Sequence, residues 1–281
     1  MSRPEHTAPP EIFYNEDEAS KYTNNSRIIA IQSEMTYRAL ELLAIPDDQV
    51  AFLLDIGCGS GLSGEVLDEE GHFWVGMDIS ESMLEVANGR EVDGDLFLQD
   101  IGQGMSYRPG TFDGAISISV LQWLCNADKT VNNPRSRLKT FFSSLYSSLA
   151  RGARAVFQFY PENPAQIEMI ISSAMKAGFT GGLVVDFPNS TKAKKYYLCL
   201  FAGFKDNASE APKLPKGLDE ESGAQVAYAS KRTREKRRGK DSRKELKDKN
   251  WVLHKKELNR VRGKETPNDS KYTARKRRVR F

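Results

Sequence analysis

The stretch Leu54-Asp55-Ile56-Gly57-Cys58-Gly59-Ser60-Gly61 holds the residue types best placed to do chemistry. An apolar run stops at three alternate glycines. Glycines at that place let the backbone turn tightly and let a ligand approach the main chain. From Leu62 the pattern reads as a helix whose N-terminus points at that ligand. Gly59, Gly61 and Gly64 also fit the G-x-G-x-x-G spacing of dinucleotide sites. Asp55 argues the other way: a carboxylate just before the turn repels a pyrophosphate and attracts an ammonium group, directly or through water. Two more acids follow, Asp78 after Trp74-Val75-Gly76-Met77 and Asp100 after Leu96-Phe97-Leu98-Gln99. A strand-end acid at Asp78 can accept from both hydroxyls of a ribose. One at Asp100 can accept from the exocyclic amine of adenine. Together the three acids describe a site for a nucleoside that carries a cationic chain.

The acids converge only if they end neighbouring parallel strands. The hydropathy pattern supplies those strands. Ile28, Ile31, Met35 and Leu42 repeat at helical spacing over Ser26–Leu43. A buried strand over Val50–Ile56 comes next, then a helix over Leu62–Glu70 closed by Gly71. Phe73–Met77 reads as a strand, and Ser80–Ala87 as a helix with Ser80 as its N-cap. Strands over Leu96–Leu98 and Phe112–Ile118 lead to a helix over Pro134–Ala150, whose proline suits a first turn. After Gly152 come a strand over Ala153–Phe159, a helix over Ala165–Ala177, and two closing strands over Leu183–Asp186 and Tyr196–Phe201. The fold class expected is α/β: a Rossmann-like, seven-stranded, mostly parallel sheet with an antiparallel last strand and helices on both faces.

Charge divides the chain. Residues 1–204 carry 16 Lys+Arg and 26 Asp+Glu, a net of −10, whereas residues 205–281 carry 25 and 12, a net of +13. In residues 231–281 Leu, Ile, Val and Phe number 7 of 51, about 14%, below the ~20% that accompanies a packed core. The domain reading is a disordered, proline-rich arm over 1–10, one folded domain over 11–204, and a basic, largely disordered extension over 205–281. Trp251, Leu258 and Val261 mark a short helix near 251–262. No apolar run approaches the ~20 residues of a membrane-spanning helix, and the first twenty residues lack the pattern of a secretory signal. Cys58, Cys125 and Cys199 are far apart, with no CxxC, which argues against a disulfide scaffold or a thiolate zinc site.

In combination, LDIGCGSG (54–61), GMDIS (76–80) and LQDI (98–101), followed by FDGAISISVLQWL (112–124), resemble the motifs of class I S-adenosylmethionine-dependent methyltransferases. The resemblance implies S-adenosylmethionine as cofactor, held at Asp55, Gly57, Cys58, Gly59, Gly61, Asp78, Ile79, Asp100 and Ile101. Its cationic amino-acid end suits the acid at Asp55. FYNEDEASKYTNNSRIIAIQSEMTYRALELL (13–43), KKYYLCLFAG (194–203), WVLHKKELNRVRGKE (251–265) and KYTARKRRVRF (271–281) are similar to segments of the eukaryotic small-subunit (18S) rRNA guanine-N7 methyltransferases. That family implies methyl transfer to N7 of one guanosine in small-subunit rRNA, nuclear ribosome assembly, and a small zinc-containing activator protein as partner. Tyr14, Asn15 and Arg27 are expected, by the same likeness, to close over the methionine end of the cofactor.

Guanine N7 has an in-plane lone pair and no proton to lose, so the transfer needs alignment rather than a general base. No catalytic Ser/His/Asp set is expected, and His6, His72 and His254 read as ordinary polar residues. In A-form RNA the N7 edge lies in a deep, narrow groove, so the target base must be unpaired or flipped. Trp123 and Tyr160, in loops after the fourth and fifth strands, are the candidates to contact it. Trp123 reads equally well as core packing.

The basic runs KRTREKRR (231–238) and RKRRVR (275–280) fit phosphate contacts and nuclear import. In this fold type the third strand is an outer one, so Leu96–Leu98 offers an edge on which the activator can add a strand. Two other functions share the same fold: a small-molecule or protein methyltransferase, which has no use for the basic tail, and a mainly non-catalytic assembly factor.

Overall fold

A computed structural model describes residues 3–46, 49–127, 132–203 and 214–218, with Leu253, Lys256, Glu257, Arg260 and residues 266–269 beyond them. The chain divides into two compact units, residues 1–223 and 224–281.

The first unit is built on seven strands: β1 (Phe52–Ile56), β2 (Phe73–Asp78), β3 (Asp95–Leu98), β4 (Phe112–Ile118), β5 (Leu149–Phe159), β6 (Thr180–Asp186) and β7 (Lys195–Phe201). Their order is β3-β2-β1-β4-β5-β7-β6. Only β7 runs antiparallel, slotted between β5 and β6. The seven-stranded sheet with an antiparallel last strand is as expected.

Side chains alternate across the strands because the strand repeat is two residues. Leu54, Ile56, Ala115, Ala155 and Phe157 face one layer, with Leu138, Phe141, Phe142 and Leu145 of α6 (Pro134–Ser148) and Ile170 and Ala174 of α7 (Pro164–Lys176). Leu53, Trp74, Ile116, Val156 and Tyr197 face the other, with Met35, Ala39, Leu42 and Leu43 of α3 (Ser26–Leu43) and Leu67 of α4 (Leu62–Glu69). Each fully buried Phe or Leu here contributes roughly 1.5–3 kcal/mol by removal from water.

Local chemistry sets the element ends. The Ser80 hydroxyl accepts from Met83 N and opens α5 (Glu81–Gly89), as expected. Asn133 and Asn163 cap α6 and α7, each followed by a proline in the first turn. The expected helix to Ala150 stops instead at Ser148, because Leu149 already pairs with Phe112. Gly152, with φ +79°, lies inside β5 where the register against β4 shifts. It is a bulge residue rather than a helix terminator.

The two ends of the unit differ from the sequence reading. Residues 3–10 hold a 3-10 turn over Pro4–His6, and Arg3 donates to the carbonyls of Tyr160 and Pro161, both at 3.0 Å. These contacts anchor the segment read as a loose arm. Two helices absent from the hydropathy pattern follow, α1 (Pro10–Phe13) and α2 (Glu16–Asn24). At the other end the body continues past residue 204. Leu218 O accepts from Phe187 N at 2.6 Å, and Lys216 O from the buried Arg38, which lays residues 214–218 beside β6.

Of the helix expected near 251–262, Leu253, Lys256, Glu257 and Arg260 are described and are helical. Lys256 and Arg260 both reach Asp269, at 2.9 and 2.6 Å. The basic runs at 231–238 and 275–280, and His254, lie outside the described residues. Among the described residues no helix is long and apolar enough to cross a membrane.

Candidate active site

A cleft opens where β1, β2 and β4 end, and its walls enclose about 920 Å³ of space, part of it open solvent. The floor is the turn after β1. Gly57 takes φ +74°, and a Cβ there would lie 2.2 Å from Val120 Cγ2. Neither the conformation nor the space admits a side chain. Gly57, Cys58, Gly59, Ser60 and Ser63 line the floor, Met77, Asp78 and Ile79 the wall from β2, and Asp100 and Ile101 the wall from β3.

Asp78 is the hub of the turn. It accepts from Gly59 N at 2.9 Å and from Ser80 N at 2.8 Å. Burial pushes its carboxyl up, and the amides of Ser80, Gly59 and Ile79 pull it partly back. A carboxylate has about four acceptor sites, so capacity remains for ribose hydroxyls. The Gly59 amide is already spent on this acid, which removes a donor that a pyrophosphate would need. That engagement counts against the dinucleotide reading of the glycines, alongside the charge.

Asp55 stands behind the floor and does not line the cleft. It is 0% exposed, and its Oδ2 accepts from the Ser63 hydroxyl at 2.5 Å. Its Oδ1 is buried without a partner, as is Ser60 Oγ. Burial pushes the Asp55 carboxyl up to about 7; the Ser63 hydrogen bond lowers it and the Asp78 charge raises it. An acid starved of donors beneath a turn is the environment a ligand ammonium relieves, through Ser63 or a water. Gly61 also stays out of the cleft: with φ +80° it caps α4.

Asp100 is already paired. Arg137 Nη2 lies 2.7 Å from its Oδ1, and Arg137 itself lines the cleft, 8% exposed. The sequence reading missed this residue. The signal was an arginine on the apolar face of a helix, in step with Leu138, Phe141, Phe142 and Leu145. Gln99 and Ser119 also line the cleft without having been singled out. Ser119 holds φ +65°, and its hydroxyl donates to Gln158 Oε1 at 2.9 Å.

The roof comes from the N-terminal helices: Pro10, Tyr14 and Tyr22. Tyr14 O accepts from the Ser80 hydroxyl at 2.8 Å, and burial pushes the Tyr14 phenol up to about 12. Of the residues expected over the methionine end, only Tyr14 reaches the cleft. Asn15 caps α2 by accepting from Glu18 N, and Arg27 is exposed on α3.

Trp123 lines the cleft, 8% exposed, with Phe13 and Tyr14 at ring distances of 6.0 and 5.9 Å. It serves as wall and as packing at once. Tyr160 does not line the cleft. Its hydroxyl lies 3.4 Å from Met35 Sδ and 3.1 Å from Lys195 Nζ, and its amide donates to Gln122. His72, lowered by burial, accepts from Ala51 N at the opposite end of the sheet, and His6 faces Glu162 at 3.4 Å. Among the described residues no cluster of three or more His, Cys, Asp or Glu could hold a metal ion.

Residues 54–156 match the family model described as a methyltransferase domain, and residues 200–279 the one described as a methyltransferase involved in Williams-Beuren syndrome. The chain is 58% identical to the 18S rRNA (guanine-N(7))-methyltransferase of Mus musculus, across 99% of this chain and 98% of that one. It is 55% identical to the probable 18S rRNA (guanine-N(7))-methyltransferase of Dictyostelium discoideum, across the whole of both. A solved structure of phosphoethanolamine N-methyltransferase 2 from Haemonchus contortus, in complex with S-adenosyl-L-methionine, shares the fold. Its TM-score is 0.53 at 16% identity, over 73% of this chain and 61% of that one. Identity at this level from end to end leaves one assignment: the chain belongs to the 18S rRNA (guanine-N7)-methyltransferase family.

Proposed function

We propose that this chain transfers the methyl group of S-adenosylmethionine to N7 of a guanosine in small-subunit rRNA, in the course of small-subunit biogenesis. The observation that carries the reading is the acid-ringed cleft: a glycine turn with Asp78 at its wall, Asp100 beside it and Asp55 beneath it, one oxygen of which is buried without a partner. A dinucleotide site would also carry the ribose acid, so the acid that favours a cationic ligand over a pyrophosphate is Asp55 beneath the turn.

When bound, S-adenosylmethionine supplies a methyl group on a cationic sulfur, and N7 accepts it without releasing a proton. The residues therefore hold and align. Asp78 takes the ribose hydroxyls, Asp100 the adenine amine, and Asp55 with Ser63 favours the ammonium. Tyr14, Tyr22 and Trp123 close apolar surface around the cleft and exclude water. None of them needs to move a proton.

The finer expectations rest on separate features. The partner is a small zinc-containing activator that adds a strand to β3. That edge is an outer strand with Phe97 48% and Leu98 58% exposed, an apolar edge of the kind proteins normally cover. Nuclear residence rests on the basic runs at 231–238 and 275–280.

The deciding experiment maps N7-methylguanosine in rRNA from cells with and without the chain, and from cells carrying Asp78→Ala. We expect one small-subunit guanosine to lose its mark in both cases. An unchanged rRNA map, with methyl transfer to a small acceptor instead, overturns the reading.

A further inference from the structure

We propose that Lys192, Lys194 and Lys195, at the entry to β7, hold the phosphate backbone of the RNA beside the cleft. The inference rests on the rRNA reading above and adds to it where the folded body itself touches the substrate.

The body is acidic, with a net of −10 over residues 1–204, yet three of its 16 Lys+Arg stand within residues 192–195. Topology delivers them to the site. β7 runs antiparallel to β5, and Tyr196 pairs with Phe159, so Lys195 sits at the end of the sheet where β4 and β5 finish. Ser119 of the cleft wall follows β4 at that same end. With strands ~4.8 Å apart, the start of β7 stands on the order of 10 Å from the end of β4.

These lysines are held out rather than neutralised. Lys195 Nζ donates to the Tyr160 hydroxyl at 3.1 Å and lies 5.1 Å from the centre of that ring. Lys194 Nζ lies 5.7 Å from the centre of the Tyr196 ring. Lys192 is exposed. None of the three forms an ion pair with a described carboxylate: Asp186, opposite Lys195 across the β6–β7 ladder, is bound to Arg38 at 2.9 Å, and Glu162 of the loop after β5 faces His6 at 3.4 Å. Aromatic faces under the two half-buried stems fix where the ammonium groups point. Arg3, bound to the carbonyls of Tyr160 and Pro161, brings a fourth cation to the same loop.

The chemistry that matches is a chain of phosphates. A base drawn out of a strand into the cleft brings its flanking phosphates to the rim. Contacts to phosphate set register, while the cleft chooses the base. A small neutral acceptor would have no use for three unpaired ammonium groups at that rim.

The test uses the full chain, co-expressed with the zinc-containing activator, and an unmodified 18S rRNA transcript. The variant Lys192→Ala/Lys194→Ala/Lys195→Met is compared with Arg108→Ala/Lys176→Ala, which removes cations that precede β4 and end α7, at the far end of the sheet. For the first variant we expect the log–log salt slope of RNA binding to shrink by about 2, and binding near physiological salt to weaken about tenfold. The RNA KM should rise with little change in kcat, and S-adenosylmethionine binding should stay within about twofold. The control should match the unaltered chain. Lys192→Glu, a single exposed change, should show the same direction without any folding question. Equal slopes in the two variants, or loss of cofactor binding in step with RNA binding, overturns the proposal. If the unaltered chain binds the RNA but leaves N7 unmethylated, it is the functional reading that falls, and the slopes still decide the lysines.

Discussion

Arg137 Nη2 donates to Asp100 Oδ1 at 2.7 Å, and the same oxygen accepts from Gly102 N at 2.8 Å. Both donors converge on one oxygen of the acid. The other oxygen, with no described protein donor, is the one left for an adenine amine. To reach Asp100 the guanidinium lies across Gly102, where an added Cβ would be 2.2 Å from Arg137 Nε. The pair thus fixes the plane of a carboxylate that would otherwise rotate. Arg137→Ala frees Asp100 and leaves it less well oriented, and Gly102→Ala displaces the arginine. Each is expected to weaken S-adenosylmethionine binding about tenfold, the ~1.4 kcal/mol that one charge-assisted hydrogen bond is worth. Calorimetry reads this directly. Arg137→Lys should recover little, because an ammonium lacks the planar fork. Full affinity in all three variants would sink the assignment.

Asp55 is expected to make cofactor binding a proton-linked event. Burial raises its carboxyl to about 7 in the free chain, far above the ordinary ~3.9 of an unfolded aspartate. The neutral form is the favoured one in the fold. Its stabilising contribution, a few kcal/mol at most, is complete below pH ~4 and is lost as pH rises through 7. The melting temperature of the free chain relative to Asp55→Asn should therefore fall between pH 5 and pH 8. An arriving ammonium reverses the preference, so binding near pH 6.5 should release up to one proton. Titrations in buffers of different ionisation enthalpy measure that release, and Asp55→Asn should abolish it. Identical proton counts in the two proteins would show that Asp55 is not linked to the ligand.

Much of this site is legible in the residues, and the part that is not has a physical cause. The glycines, Asp78 and Asp100 announce themselves because a tight turn and strand-end acids are local features, written within a few positions. Ser80 does the same as a helix cap. Arg137 is written locally only as a misfit, a cation in step with Leu138 and Phe141. Its partner is 37 positions away, and no spacing rule links them. Tyr14 of the roof was expected, but the helix that carries Tyr22 was missed, for another reason. Glu16–Asn24 is polar and buries only Ala19, so it offers no apolar stripe to read; it forms under the Asn15 cap and by packing against α5. Tyr160 shows the opposite case: it was singled out, yet it does not line the cleft. A strand-end aromatic after β5 looks like a base-stacking residue, but the Lys195 and Met35 side chains claim its hydroxyl.

The buried pair Arg38 and Asp186 is expected to hold the far edge of the sheet. Arg38 Nε lies 2.9 Å from Asp186 Oδ2, and Asp186 Oδ1 accepts from Leu218 N at 2.9 Å. One carboxylate thus joins α3, β6 and the 214–218 segment. Asp186→Asn leaves a buried guanidinium with Glu41 as its remaining acid, at 2.9 Å. Breaking such a pair costs about 3–5 kcal/mol, and the surviving Glu41 contact places the loss near the lower figure. Urea unfolding should show the drop with cofactor affinity unchanged in the folded fraction. A loss under ~1 kcal/mol would mean that the segment is held by its apolar contacts alone.

Removing residues 231–281 takes away 22 Lys+Arg and 7 Asp+Glu, a net of +15. RNA association should weaken and its salt dependence flatten, while S-adenosylmethionine affinity stays put, because the cleft is built from residues before 204. The shortened chain should also lose nuclear accumulation in imaging of tagged protein. Binding that keeps its full salt slope would refute the electrostatic role of the tail.

The β3 edge carries the last prediction. Phe97 packs edge-on to Tyr107 with ring centres 6.3 Å apart, yet 48% of it remains exposed beside Leu98. Among the described residues β3 pairs on one side only, with β2, so its other row of amides and carbonyls is placed to take a strand. The chain expressed alone should be poorly soluble, and co-expression with the zinc-containing activator should rescue it. Phe97→Asp places a charge at the centre of that seam. It should improve the solubility of the lone chain, abolish co-purification of the partner, and lower rRNA methylation in cells although the cleft residues are untouched. A lone chain that is already soluble and monomeric, with methylation indifferent to Phe97→Asp, would move the partner to another surface. The sheet edge would then need a different cover, since two neighbouring exposed apolar residues on an outer strand invite aggregation.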